Sequence, residues 1–219
     1  MRPVIFQRDK SVNLCRGEKY RLRMGNYRHI NFHKIDDEDL LSFIEQRHHA
    51  YCKSMLELII RNFRSATQSK GQFSPQSNQL LSALLELRDQ VDALIRKEEE
   101  TLFPYVRKML QVRAQKEPYR FLDVNLTESS IRTLQEEHVN VMRVIAKIKS
   151  MTADFTPKAD DEEILRLVYA ELKEFGSDFS MHLHRELEFL FPRMIRLEDE
   201  VRQRTRQAAI GRDANWSAE

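Results

Sequence analysis

From residue 36 onward, apolar residues recur three and four apart in four long stretches, the signature of helices that each bury one stripe. The first runs from about Asp36 to Arg64, with stripe Leu40, Ile44, His48, Tyr51, Met55 and Leu58, and with Asp36, Asp37, Glu38 and Asp39 at the positive end of its dipole. After a polar loop, Ser74 as N-cap and Pro75 in the first turn open a second helix to about Arg113, with stripe Leu80, Leu84, Leu87, Val91, Leu94, Glu98, Leu102, Tyr105 and Met109. Asn125 and Glu128 have capping-box spacing and open a third helix to about Met151, with stripe Ile131, Leu134, His138, Val141, Ile145 and Ile148. Pro157 breaks the chain, and Asp160 with Glu163 opens a fourth helix to about Arg206. Its stripe is Ile164, Val168, Leu172, Phe175, Phe179, His182, Glu186, Phe189, Met194, Leu197 and Val201.

Four amphipathic helices with short connections predict an all-α fold, an up-down-up-down four-helix bundle over residues 36–206. A basic N-terminal arm, residues 1–35, and a frayed tail, 207–219, flank it. The total of 219 residues suits one such domain with appendages, and 5 Gly with 6 Pro fit long helices and few turns. Formal charge is only +2, so nothing global calls for nucleic acid or an acidic substrate. The arm carries most of the local bias, with nine Lys/Arg against two acidic residues in 1–34, but its aromatic residues are too sparse to predict nucleic-acid binding. Cys15 and Cys52 have no CxxC spacing and suggest neither a disulfide framework nor a thiolate zinc site. With no apolar leader and no run of 18 apolar residues, the expectation is a cytoplasmic protein away from the membrane.

Two passages repeat. Glu98-Glu99-Glu100-Thr101-Leu102-Phe103-Pro104 and Glu186-Leu187-Glu188-Phe189-Leu190-Phe191-Pro192 lie 88 residues apart, each with Glu, three residues, then Leu-Phe-Pro inside a helical pattern. A proline there costs about 3 kcal/mol, so meeting it twice at one offset points to duplication. His48 and His138, 90 residues apart, hold mid-stripe positions in the helix before each passage, so the chain reads as two related helical hairpins. His182 and Glu186, four apart, share a helix face, and the repeat offset carries His182 onto Leu94.

The bundle interior is therefore expected to hold His48, Glu98, His138, His182 and Glu186, with Leu94 where symmetry asks for a fourth histidine. Burying ionised carboxylates costs several kcal/mol unless they are paired or bind a metal, and two at one level repel each other. A pair of divalent cations resolves that conflict, as in bundles that hold two iron or manganese ions through carboxylates and imidazoles.

At these residues the chain resembles the hemerythrin-like superfamily and, within it, the repair-of-iron-centres di-iron proteins, over roughly residues 36–198. The matching segments are Arg47-His48-His49, Glu98 through Pro104, Glu137-His138, and His182 through Pro192. The resemblance implies two non-haem irons bridged by Glu98 and Glu186, with His48, His138 and His182 as terminal ligands. It also implies repair of, or iron donation to, iron–sulfur proteins under nitrosative or oxidative stress. Two departures stand out: Leu94 replaces a ligand histidine, and Cys15 stands alone where the family has an N-terminal domain with an adjacent Cys-Cys pair. One iron position should therefore be weakly held and open to oxygen or nitric oxide, with Tyr51 and Tyr105 as candidate replacement donors.

Helix adjacency places His48 and His182 at one metal, and His49 and His184 are expected outside the ligand stripe. A homodimer is among the expected assemblies. Two other readings share the same residues: a reversible oxygen or nitric oxide sensor, and a metal-free helical scaffold for protein partners.

Overall fold

The computed structural model describes residues 31–68, 74–115, 126–159 and 161–216. Most of the basic arm, Cys15 and the expected caps Asn125 and Asp160 lie outside these residues. The chain divides into two units, Met1–Ile35 and Asp36–Glu219.

The larger unit contains four long helices. Helix α1 consists of Asp37–Phe43, a π-helical turn Ile44–His49, and Ala50–Gln68. Helix α2 is built the same way from Pro75–Lys97, the π-turn Glu98–Leu102, and Phe103–Gln115. Helix α3, Leu126–Met151, has no such interruption. Helix α4 comprises Glu163–Arg185, the π-turn Glu186–Leu190, and Phe191–Trp216, so it continues past Arg206, where a tail was expected.

Local chemistry fixes the helix starts. Asp36 accepts a hydrogen bond from the Asp39 N–H at 2.8 Å, and Ser74 accepts one from Ser77 at 3.1 Å with Pro75 in the first turn, so the first free N–H groups of α1 and α2 are satisfied. The end of α3 is less ordinary. Ala153 N–H reaches Ser150 O at 3.4 Å and Asp154 N–H reaches Lys149 O at 2.9 Å, the paired bonds of a Schellman ending. Ala153, Asp154 and Phe155 have φ of 46°, 60° and 57°, a left-handed run without glycine.

Helix α1 packs on α2 and α4, α2 packs on α3, and α3 closes the ring against the Phe191–Trp216 part of α4. This is an all-α four-helix bundle, and the described residues contain no strand. The α3 stripe, Ile131 through Ile148, is buried as its spacing predicts, as are Val168, Leu172, Phe175 and Phe179 of α4. Each large apolar side chain removed from water contributes about 1.5–3 kcal/mol.

Helix α1 departs from its expected stripe. Beyond the π-turn Tyr51 and Met55 of that stripe stay buried, but Cys52, Leu56 and Ile59 are fully buried as well, while Leu58 is only half-buried. A π-turn takes up one residue more than an α-turn and so rotates everything after it by about 100°. The same effect leaves Tyr105 and Phe189 half-buried and puts Phe103 and Phe191 in the core. No helix among the described residues is long and apolar enough to cross a membrane.

Candidate metal centre

Each π-turn carries a residue of the centre. Glu98 and Glu186 open theirs, and their carbonyls accept from the N–H groups of Phe103 and Phe191, five residues on. In α1 the Ala50 N–H likewise reaches back to Glu45, and His49 closes the turn. The repeated prolines follow directly from this. A helix proline pushes on the carbonyl four residues back, and for Pro104 and Pro192 that carbonyl, on Glu100 or Glu188, belongs to the widened turn.

Between the helices, five side chains converge in a fully buried layer: His49, Glu98, His138, His182 and Glu186. His49 Nε2 lies 3.1 Å from Glu98 Oε2 and 4.0 Å from Glu186 Oε1, and His182 Nε2 lies 2.8 Å from Glu186 Oε1. The other carboxylate oxygens face His138, whose Nε2 is 2.9 Å from Glu186 Oε2 and 3.7 Å from Glu98 Oε1. Each carboxylate thus turns one oxygen to the His49/His182 side and one to the His138 side. One ligand atom from each of His49, Glu98, His182 and Glu186 falls within 4.8 Å of the others.

The donor set fits a metal. The Nε2 atoms of all three histidines and all four oxygens of Glu98 and Glu186 are buried, and despite their proximity none is in hydrogen-bond geometry. Buried polar atoms of native proteins are normally hydrogen-bonded, so seven orphans aimed at one centre mark lone pairs held for a cation. Imidazole nitrogen with carboxylate oxygen is the donor mixture that suits iron, manganese or zinc.

No known family model matches the chain. Over 160 residues, 73% of its length, it is 26% identical to the iron–sulfur cluster repair protein YtfE of Musicola paradisiaca (strain Ech703). It is 24% identical over the same length to the proteins of that name from Yersinia pseudotuberculosis (serotype IB, strain PB1/+) and Yersinia pestis (strain Pestoides F). The match spans 66% of each relative. These relatives support kinship with the repair-of-iron-centres family.

Against the ligand set that the resemblance implies, the structure brings Glu98, His138, His182 and Glu186 together but not His48. The place beside Glu98 is taken by His49, which the unbroken helical phase had put outside the stripe. His48 Nδ1 instead donates to Asp178 Oδ2 at 3.0 Å, and Arg185 contacts its Nε2. Its ring stacks on that of His182 with centroids 5.5 Å apart. Burial pulls the His48 pKa down to about 4, against the pull of Asp178, so this imidazole is neutral. The signal for His49 was present in the sequence, since His49, Cys52, Leu56, Ile59 and Phe63 continue at three- and four-residue spacing into the most buried face of α1.

The two histidines flanking the carboxylates bind protons tightly. Burial lowers the pKa of His49, but its ion pairs with Glu98 and Glu99 outweigh this and raise it to about 9. For His138, too, burial opposes and Glu186 prevails, giving a raised pKa. Glu186 is held well below the usual carboxylate range because His182 and His138 overcome the cost of burial. The outer nitrogens differ from ring to ring: His49 Nδ1 meets Glu99 Oε1 at 3.0 Å, and His138 Nδ1 donates to Leu134 O at 2.8 Å.

Leu94, one turn before Glu98, is fully buried and offers no donor. Tyr105, a candidate replacement, gives its hydroxyl to Glu198 at 2.8 Å instead. Cys52 is wholly buried, and burial pushes its thiol well up, which makes it a core residue and not a ready thiolate. His184 is exposed, as expected.

Proposed function

We propose that this chain is a hemerythrin-like, non-haem iron protein that donates iron to damaged iron–sulfur proteins of the cytoplasm under nitrosative or oxidative stress. The observation that carries the reading is the set of seven orphaned donor atoms in one buried layer. The cluster-repair relatives support the choice of iron and of acceptor.

The ligands divide unevenly. His49 and His182, with Glu98 Oε2 and Glu186 Oε1, offer four donors on one side; His138, with Glu98 Oε1 and Glu186 Oε2, offers three on the other. Iron bound there supplies Lewis acidity and one-electron chemistry to whatever ligand completes its coordination. The four-donor side would hold resident iron, and the three-donor side, left short of a histidine because the repeat places Leu94 where His182 has its counterpart, would hold the iron that is cargo. Phe103, Phe179 and Phe191 pack around the histidine rings and keep bulk water from the carboxylates.

The test is elemental analysis of anaerobically purified protein, followed by transfer to an apo iron–sulfur acceptor. The expected result is one tightly held iron per chain, a second lost on dialysis, and rebuilding of the acceptor's cluster at the expense of the second. Optical bands that shift reversibly with oxygen or nitric oxide, without transfer, would replace this reading with that of a gas sensor, for which the three-donor side would serve as the receptor. No iron after loading, in wild type and Glu186→Ala alike, would leave a helical scaffold.

A further inference from the structure

The three histidines of the centre have different outer partners. His138 Nδ1 is tied to a neutral carbonyl, Leu134 O, and His182 Nδ1 has no hydrogen-bond partner. His49 Nδ1 alone of the three meets a carboxylate, Glu99 Oε1 at 3.0 Å. The other oxygen of Glu99 accepts from Lys53 Nζ at 2.8 Å, so both oxygens are engaged. Lys53 stands four residues beyond His49, on the same face of α1, and closes this small ring of contacts.

Glu98 and Glu99 are consecutive residues of one π-turn, yet they meet the two opposite nitrogens of the same imidazole. Glu98 Oε2 approaches Nε2 from inside the bundle, and Glu99 Oε1 takes Nδ1 from the rim. The Glu99 side chain remains 30% exposed, so nothing in the packing requires an acid there.

Resting on the metal reading of the centre, we infer that Glu99 is a positioning residue whose carboxylate, braced by Lys53, holds the His49 proton on Nδ1 and aims the Nε2 lone pair at the metal. A carboxylate on the outer nitrogen fixes the tautomer and makes the inner nitrogen a stronger donor. His49 then becomes the strongest imidazole donor of the set, on the side that already has four donors. The asymmetry between resident and cargo positions is therefore reinforced from outside the ligand layer, by a residue that touches no metal.

Cobalt(II) serves as probe, with affinity read by competition against a chelating dye and donor strength read from its visible ligand-field bands. In the full chain, Glu99→Gln keeps an acceptor for Nδ1 but loses the charge, and Glu99→Leu loses both. The expected order of affinity is wild type, then Gln, then Leu, with losses in the ~10–100-fold range of outer-partner mutations and with displaced bands in both variants. Lys53→Met leaves Glu99 on His49 and should cost at most about fivefold, the scale of an exposed ion pair. If Glu99→Gln binds cobalt as tightly as wild type with an unchanged spectrum, the inference fails and the metal reading stands. If wild type binds neither cobalt(II) nor iron(II), the metal reading itself fails and takes the inference with it. Should Glu99→Leu not fold, the isosteric Gln variant at this half-buried rim position still decides the matter.

Discussion

His48 and His49 are neighbours in sequence and equally buried, yet their surroundings give them opposite tasks. His48 is locked between Asp178 and Arg185 with both ring nitrogens occupied, whereas His49 leaves Nε2 to the carboxylates. His49→Ala should therefore lose more metal affinity than the ~10–100-fold that an outer partner costs, while His48→Ala should retain metal. Because the second change breaks a buried polar network, it should instead cost about 1–3 kcal/mol of stability. Isothermal titration with iron(II) and thermal unfolding separate the two effects. Glu171 offers a second test at this scale. Burial raises its pKa, only partly offset by two hydrogen bonds from Asn62 at 3.1 Å. A raised carboxyl pKa means the folded state holds its proton better than the unfolded chain does, so the charged form penalises folding as pH rises through the folded pKa. Glu171→Gln should raise Tm at pH 7, and the gain should vanish below about pH 4, where the carboxyl is protonated in both states.

The π-turns decide where the side chains of α1, α2 and α4 point. Removing Gln46, an exposed residue of the first π-turn, would turn it into an ordinary α-turn and rotate His49 by about 100° relative to the preceding segment. The deletion should abolish metal binding while the helical circular dichroism signal stays near that of wild type. At the other end of the bundle, Ala153 fills the left-handed position of a helix ending that usually takes glycine. Ala153→Gly should stabilise the protein by about 1 kcal/mol, which for a chain of this length is a rise in Tm of roughly 2–4 °C in a calorimetric scan.

Across the whole bundle, four helices each bring part of one centre, and the part α2 withholds is the donor at Leu94. Leu94→His should raise the iron bound after dialysis from one towards two per chain and make the cargo position resistant to transfer. Iron itself should stabilise the fold by mass action, about 2.7 kcal/mol at a hundredfold excess over Kd, so adding a chelator should lower Tm by roughly 5–10 °C.

Much of this arrangement was legible in the sequence. Binary patterning gave four helices, the Leu-Phe-Pro repeat gave their pairing, and glutamates among apolar neighbours marked the buried layer, because burial of charge is too costly to occur without a purpose. The extra residue in each π-turn was not legible, since periodicity assumes a constant rotation per residue and a single wide turn shifts the phase without altering composition. That shift moved the α1 contribution from His48 to His49 and exchanged Leu58 for Leu56 and Ile59 in the core.

The residue types of the centre and the helices that carry them thus follow from the sequence alone, because hydrophobic burial selects them one stripe at a time. Which nitrogen meets which oxygen, and which histidine turns away to Asp178, was decided only by tertiary structure, because these depend on the relative rotation of helices distant in the chain.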